Sequence, residues 1–162
     1  MTTRTYLATG AACAVTAAVG GVAGGGADSR WYRRLDKPAF QPPPQIFPIV
    51  WTALYADIAA CTAQALDRLA ADGRTDEAAA LRRALAVNLV LNGSWTWVFF
   101  RWHRLAASVG VAAALAGSSA DLTRRVGSAS PVAGVTLLPY AAWCGFATVL
   151  SGSIWRRNRN AR

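Results

Sequence analysis

Residues 132–155 read VAGVTLLPYAAWCGFATVLSGSIW and contain no charged side chain. An α-helix rises about 1.5 Å per residue, so roughly 20 apolar residues suffice to cross about 30 Å of hydrocarbon. This stretch therefore predicts a membrane-spanning helix. The rest of the chain agrees, because 54% of its 162 residues are hydrophobic and 15% are charged, whereas a soluble domain carries about 25% charged residues.

Four further apolar stretches extend this prediction to the whole chain. They predict an all-α membrane protein, a single domain over residues 1–162 folded as a bundle of five transmembrane helices. The predicted spans are residues 6–27, 47–66, 84–100, 105–122 and 132–155. The first is alternatively a secretory signal, since Arg4 precedes an apolar run that ends in small residues. Its length favours a span, because a signal core is shorter.

The positive charge of the chain also fits membrane loops. A net charge of +9 would suit a nucleic-acid binder if the basic residues were clustered on one amphipathic element. They fall instead in short runs between uncharged stretches, which disfavours a nucleic-acid partner. With five spans, ten Lys and Arg lie on the side of the C-terminus and seven on the other. The positive-inside rule therefore favours a cytoplasmic C-terminus.

The residue types needed for hydrolytic or metal chemistry are not arranged in any recognisable motif. Cys13, Cys61 and Cys144 all fall inside predicted spans, where a thiol is most simply a small packing residue, so we predict no disulfide, metal or redox role. No nucleophile with its base and no phosphate-binding loop stands out either. The sequence therefore disfavours a hydrolytic enzyme.

The connection between the first two spans, residues 28–46, is rich in aromatic residues and proline. Prolines restrict the backbone and aromatic rings bring apolar area, which predicts an ordered loop folded back on the bundle. The alternative is an interfacial aromatic belt with a basic rim. The residues concerned are Trp31, Tyr32, Phe40, Pro38, Pro42, Pro43 and Pro44.

Helical spacing places aromatic and polar side chains on one face of three predicted spans. An unbonded amide in hydrocarbon is costly, so Asn92 is expected to point inward. Asn88 fits a role in bonding neighbouring helices, while Asn92 fits that role and ligand binding equally well. Tryptophans near span ends often anchor helices at the interface, which suits Trp97, Trp102 and Trp155. The three faces comprise Trp51 and Tyr55; Asn88, Asn92 and Trp95; and Tyr140, Trp143 and Ala147.

Three single residues carry further expectations. Pro139 lacks a backbone N–H and is expected to kink the fifth span. Asp57 is the one acidic residue well inside a predicted span, so it is expected to face protein or a polar cavity. His103 lies between Arg101 and Arg104 and is interpreted as a solvated loop residue.

Three sets of motifs resemble the TspO/MBR family of tryptophan-rich sensory and translocator proteins. Their order and spacing match the family over roughly residues 5 to 157. The motifs are Trp31-Tyr32-x-x-Leu35-x-Lys37-Pro38 with Pro42-Pro43 and Phe47-Pro48-x-x-Trp51-x-x-Leu54-Tyr55; Leu91-Asn92-x-x-Trp95-x-x-x-Phe99-Phe100; and Pro139-Tyr140-x-x-Trp143-x-x-Phe146-Ala147-x-x-Leu150.

We predict no obligatory cofactor and no metal, and the Ala- and Arg-rich composition and the lack of a transit-like segment favour a bacterial cell membrane as the location. The resemblance implies a five-helix bundle, often a homodimer, whose cavity binds porphyrin or haem and other hydrophobic molecules, with a loop lid that includes Trp31, Lys37 and Pro38. The ligand-binding residues that it implies are Trp51, Tyr55, Asn92, Trp95, Tyr140, Trp143 and Ala147.

This sequence departs from the family pattern at a few positions. Gly152 stands where animal members have the tyrosine of a proposed cholesterol motif, and Ser151 stands where the family usually has Asn. Arg83 and Val87 replace a pair of small residues that some members carry. The resemblance alone therefore does not imply sterol recognition at this site. It also does not imply the dimer contact that some members make through the pair of small residues.

Three functions follow as hypotheses. The first is a tetrapyrrole-binding membrane sensor or carrier, in which aromatic faces stack on a flat macrocycle and Asn92 engages a polar edge. Arg33, Arg34 and Lys37 would then pair with porphyrin propionates, or alternatively with anionic lipid head groups. The second is an enzyme that degrades porphyrin with light and oxygen through Trp51 and Trp143. The third is a sterol or lipid transport protein.

Overall fold

The structure, a computed structural model, describes residues 2–25 and 29–160. Every regular element in these two ranges is helical. A five-residue π-helical segment, Trp97–Arg101, continues α4 without a break. The helices are α1 (Thr3–Gly24), α2 (Arg30–Arg34), α3 (Ile46–Ala71), α4 (Thr75–Thr96), α5 (Leu105–Ala129), α6 (Pro131–Thr136) and α7 (Leu138–Asn158).

The predicted spans correspond to long helical runs, but several of these helices begin or end at residues other than the predicted ones. Helices α3 and α4 both continue through the charged residues that separate the predicted spans, as the helix-favouring order of that segment indicates. They meet at a tight turn where Gly73 adopts a φ of 69°, a left-handed conformation that glycine tolerates without steric cost. Residues 26 and 27 of the predicted first span lie outside the described residues.

The fifth predicted span is two helices rather than one. Helix α6 starts at Pro131, and the Ser130 hydroxyl accepts a hydrogen bond from the backbone N–H of Ala133. The helix stops at Leu137, and α7 begins with Pro139 in its first turn. A proline there cannot donate to the carbonyl four residues earlier, so the break falls just ahead of it. At the position of the expected kink, the helix is therefore fully interrupted between α6 and α7.

Small and polar side chains hold α1 against the bundle. The Thr9 hydroxyl donates to the carbonyl oxygen of Ala59 at 2.9 Å, which joins α1 to α3. The indole N–H of Trp97 donates to the carbonyl oxygen of Val19 at 3.2 Å, which joins α1 to the π-helical segment. Such bonds replace the hydrophobic driving force that is missing between helices in lipid.

The outer faces of the helices carry large apolar side chains. Val22 on α1, Ile49 on α3, Val90 on α4 and Val132 on α6 are each about two-thirds exposed or more. Such surfaces are unsuited to water and suit contact with lipid tails. The fold is therefore a membrane helix bundle.

Within the described residues, length and apolarity identify four candidate spans rather than the five predicted. They are Thr3–Gly24, Ile46–Ala71, Leu105–Ala129 and Pro131–Asn158, the last including the break at Leu137. Helix α4 falls short by this measure because it contains charged residues in its first three turns and two asparagines further along.

The loop after α1 is ordered where the structure describes it. The Ser29 hydroxyl accepts a hydrogen bond from the backbone N–H of Tyr32 and so caps α2. The Asn158 side chain bonds both the N–H and the C=O of Asp36, and Arg157 pairs with the Asp36 carboxylate at 3.3 Å. These contacts tie the loop to the end of α7, which confirms the folded-back interpretation.

Helices α5 and α6 approach most closely where two glycines face each other. A Cβ atom placed on Gly134 would lie 2.5 Å from the Cα of Gly127. Real side chains do not tolerate that distance to backbone, so the two helices would have to separate.

We therefore predict that Gly134→Ala lowers the free energy of unfolding by about 1 to 3 kcal/mol, as overpacking does. The matched control is Gly117→Ala on α5, where the added methyl group meets open space. Thermal unfolding in detergent checks this. Equal unfolding temperatures for the two variants would contradict the close packing.

Candidate functional site

Three polar side chains from three different helices meet inside the bundle. The Tyr55 hydroxyl donates to the side-chain amide oxygen of Asn92 at 2.8 Å. The amide nitrogen of Asn92 in turn donates to the Tyr140 hydroxyl oxygen at 3.3 Å. Tyr140 is fully buried and Asn92 is 4% exposed. The inward orientation expected for Asn92 is confirmed, and α3, α4 and α7 are joined at one level.

The same chain of hydrogen bonds continues to α5 through Asn88. The Tyr140 hydroxyl donates to the side-chain amide oxygen of Asn88 at 2.6 Å. The Asn88 amide nitrogen donates to the hydroxyls of Ser118 and Ser119, at 3.2 and 3.1 Å. Asn88 therefore bonds neighbouring helices, as the sequence indicated. The serines were not anticipated, because two small hydroxyl residues in an apolar helix give no distinctive pattern.

Half-buried aromatic rings form one face beside this network. On α3, Trp51 and Tyr55 have ring centroids 5.6 Å apart. Phe47 meets Trp143 of α7 edge to face at 5.9 Å, and Trp143 contacts Phe146 at 5.3 Å. We call Phe47, Trp51, Tyr55, Trp143 and Phe146 the aromatic face. It brings together indoles from two helices against the core.

A second group of rings lies at the loop end of the bundle, and we call it the loop-side cluster. Trp95 stacks on Phe99 at 5.2 Å, and Phe99 contacts Phe100 at 4.8 Å. Trp31 and Tyr32 from the loop meet these phenylalanines edge to face, at 5.8 and 5.4 Å respectively. The π-helical segment carries both phenylalanines, and such segments often mark functional sites.

The predicted lid residues are part of this loop. Pro38 is buried, and the Lys37 ammonium lies 4.5 Å above the ring centre of Tyr32 while it donates to the carbonyl oxygen of Leu35. The Tyr32 hydroxyl accepts a hydrogen bond from the Gln41 side chain at 3.2 Å. Burial raises the pKa of the Tyr32 phenol above its ordinary value, so it stays neutral at physiological pH.

The structure groups the predicted site residues in two places. Tyr55, Asn92 and Tyr140 share the polar network, and Trp51 and Trp143 join the aromatic face. Ala147 is half-buried one helical turn beyond Trp143. Trp95 lies instead in the loop-side cluster, where its buried indole N–H has no acceptor within the described residues.

Two contacts were missed from the sequence although their spacing was available. Phe47 lies four residues before Trp51, and Phe146 lies three residues after Trp143, so each pair shares a helical face. Their side chains complete the aromatic face between α3 and α7. Both phenylalanines stand in the family motifs, but neither was predicted as a site residue.

Asp57 and His103 differ in part from their sequence interpretations. Asp57 is half-buried and accepts a hydrogen bond from the Cys61 thiol on its own helix at 3.1 Å, rather than from a neighbouring helix. His103 is exposed, as interpreted, but its ring stacks on Trp31 with centroids 3.9 Å apart. Its φ of 54° turns the chain between the π-helical segment and α5.

A family model described as TspO/MBR family matches residues 9–156 of the chain. The chain belongs to the TspO/MBR family. The match includes both tyrosines and both asparagines of the polar network, together with the whole aromatic face and the described part of the loop.

Individual relatives cover nearly the same length. The protein CrtK of Rhodobacter capsulatus is 34% identical over 91% of this chain and 88% of its own. The tryptophan-rich sensory protein of Cereibacter sphaeroides is 31% identical over 93% of this chain and 89% of its own. The human translocator protein is 30% identical over 82% of this chain and 78% of its own. Family membership and the apolar helices together make the chain a multi-pass membrane protein.

The polar network gives a direct stability prediction. Tyr140→Phe removes the hydroxyl that accepts from Asn92 and donates to Asn88, and it leaves both amides short of a partner. We expect a loss of about 1 to 2 kcal/mol in the free energy of unfolding, since bonds between membrane helices average about 0.6 kcal/mol and unpaired amides add to the loss.

Denaturation in mixed micelles, followed by tryptophan fluorescence, measures this loss. Tyr6→Phe on α1 is the matched control, because the Tyr6 hydroxyl has no hydrogen-bond partner among the described residues. If Tyr140→Phe is as stable as Tyr6→Phe, the network does not hold the helices together.

Proposed function

We propose that the protein is a tetrapyrrole-binding membrane sensor or carrier with five transmembrane helices. The observation that carries the proposal is the aromatic face, where Trp51 and Trp143 from two helices remain partly accessible beside the buried amide of Asn92. A flat, largely apolar macrocycle with a few polar edges is the kind of ligand that stacked indoles and one amide recognise.

Helix α4 with its π-helical segment is the fifth span in this proposal. The residues that lower its apolarity in the membrane are Asn88 and Asn92, and both are buried and hydrogen-bonded inside the bundle. The surface that α4 turns outward carries Val87 and Val90, which are 56% and 67% exposed. A lipid-facing helix requires that arrangement.

Polar groups around the site supply donors for the ligand. The amide nitrogen of Asn92 uses one of its two hydrogens within the described residues, in a long bond to Tyr140. The indole N–H of Trp95 adds an unpaired donor in the loop-side cluster. Lys37 on the lid would pair with a porphyrin propionate, since its ammonium is held at Tyr32 without an ion pair among the described residues.

The names of the relatives support a sensory or translocating role rather than a purely structural one. A bacterial cell membrane, a cytoplasmic C-terminus and a homodimer complete the proposal. The basic residues concentrated in the loop after α1 and at the end of α7 favour that orientation.

Porphyrin binding tests the proposal directly. A porphyrin titrated into the detergent-solubilised protein should quench tryptophan fluorescence to saturation. Trp51→Phe and Trp143→Phe should each raise the Kd about fivefold, because a smaller ring loses on the order of 1 kcal/mol of stacking. Trp102→Phe is the control, since Trp102 is 61% exposed and outside the aromatic face. Equal effects at all three positions would indicate nonspecific partitioning.

The degradative alternative rests on the same two indoles, which an excited macrocycle would contact. Absorbance in light and in darkness separates the two functions, because binding shifts the Soret band whereas breakdown erases it. If the wild type bleaches porphyrin no faster than empty micelles do, the degradative alternative is excluded and the binding proposal remains. Competition by a sterol addresses the third hypothesis, for which Gly152 replaces the tyrosine of the proposed motif.

The position of α4 can be tested independently of any ligand. If α4 spans the membrane, Asp72 before it and Trp102 after it lie on opposite sides. Asp72→Cys should then react with an impermeant maleimide in intact spheroplasts, whereas Trp102→Cys should react after permeabilisation alone. The wild type, whose three cysteines are buried, is the control. Identical labelling of both variants would refute the fifth span.

A further inference from the structure

A cavity lies at the loop end of the bundle, apart from the aromatic face. Its volume is about 780 Å³, and it is bounded by α2, the start of α5 and the end of α7. Arg34, Arg104 and Arg159 line it, and Trp31 and Trp155 form part of its wall. No residue of the aromatic face borders it, whereas the predicted lid residue Trp31 does.

The charge of this cavity is not neutralised by the protein. No acidic side chain lines it among the described residues. Asp36, the acid of the neighbouring loop, pairs with Arg157 at 3.3 Å instead. Arg34, Arg104 and Arg159 form no ion pair within the described part of the chain. Three like charges held around one cavity repel each other, and a bound anion would offset that repulsion.

The chemistry of the lining favours a phosphate ester. The planar guanidinium group presents paired N–H donors that match phosphate oxygens. Leu105, Ala106 and Ala107, in the first turn of α5, also line the cavity, and the N-terminus of that helix adds positive potential to that of the arginines.

The location favours a lipid as the source of that phosphate. The cavity lies where α5 begins and α7 ends, so it is at the level at which the bundle leaves the hydrocarbon. Tryptophans at this level typically sit among lipid head groups. Leu35 and Leu105 give the cavity an apolar border along which an acyl chain can run. A soluble anion has no apolar chain that would pack against this border.

We propose that this cavity binds the phosphodiester head group of an anionic phospholipid, and that Arg34, Arg104 and Arg159 recognise its charge. The site is separate from the aromatic face and does not depend on the tetrapyrrole proposal. It assigns Arg34 to the lipid rather than to a porphyrin propionate.

Native mass spectrometry of the full-length protein, titrated in detergent with phosphatidylglycerol or phosphatidylcholine, tests the site. The wild type should retain phosphatidylglycerol in preference to phosphatidylcholine. The double variant Arg104→Gln/Arg159→Gln should weaken phosphatidylglycerol binding roughly 25-fold, at about fivefold per arginine. Both side chains are exposed, so the substitutions leave the core intact. Arg104→Lys/Arg159→Lys should retain most of the binding, because the charge remains.

The control is Arg68→Gln/Arg82→Gln, which removes the same charge from exposed arginines near the other end of the bundle. If both double glutamine variants lose phosphatidylglycerol binding equally, the proposed site would be overturned. The binding would then be due to diffuse surface charge. Displacement of phosphatidylglycerol by an equal concentration of inorganic phosphate would overturn the lipid assignment. Porphyrin titration of the same variants should be unchanged, so failure of this site and failure of the tetrapyrrole proposal are distinguishable.

Discussion

An amide cannot remain unbonded in hydrocarbon, and the arrangement of the bundle depends on how this protein meets that constraint at Asn88 and Asn92. Both amides lie on the inner face of α4, and Tyr140 of α7 bonds to each of them. Tyr55 and two serines extend the chain of bonds to α3 and α5. Because a hydrogen bond tolerates little displacement, this network sets the relative height and rotation of four helices.

The position of the aromatic face follows from that network. Tyr55 belongs to both, so the rotation of α3 that satisfies Asn92 also directs Trp51 to the same side. On α7, the rotation that buries Tyr140 leaves Trp143 and Phe146 half-buried beside Phe47. At the loop end, the π-helical segment presents Phe99 and Phe100 to the lid, and Asp36 anchors the lid to α7. One polar core thus positions the aromatic face.

Helix α4 shows why counting spans from composition is least certain where polar residues face the interior of the bundle. Its inward asparagines reduce the apolarity of the segment, although within the bundle they cost little because they are paired. An average over the segment does not distinguish inward from outward residues, whereas the exposure of Val87 and Val90 does. His103 is a related case, since a lone histidine among arginines gave no sign of the stacking on Trp31 that the turn at φ 54° permits.

By itself the sequence determined the helical class and the membrane setting, because helical periodicity and apolar length are local properties of the chain. It also identified Asn88 as a residue that bonds neighbouring helices and Asn92 as one that points inward. The tertiary structure alone decided which faces meet: that Trp95 stacks on Phe99 in the loop-side cluster rather than joining Trp51, that Ser118 and Ser119 complete the network, and that three arginines distant in the chain line one cavity. Contacts between residues far apart in the chain depend on the rotation and depth of whole helices, which no local pattern encodes.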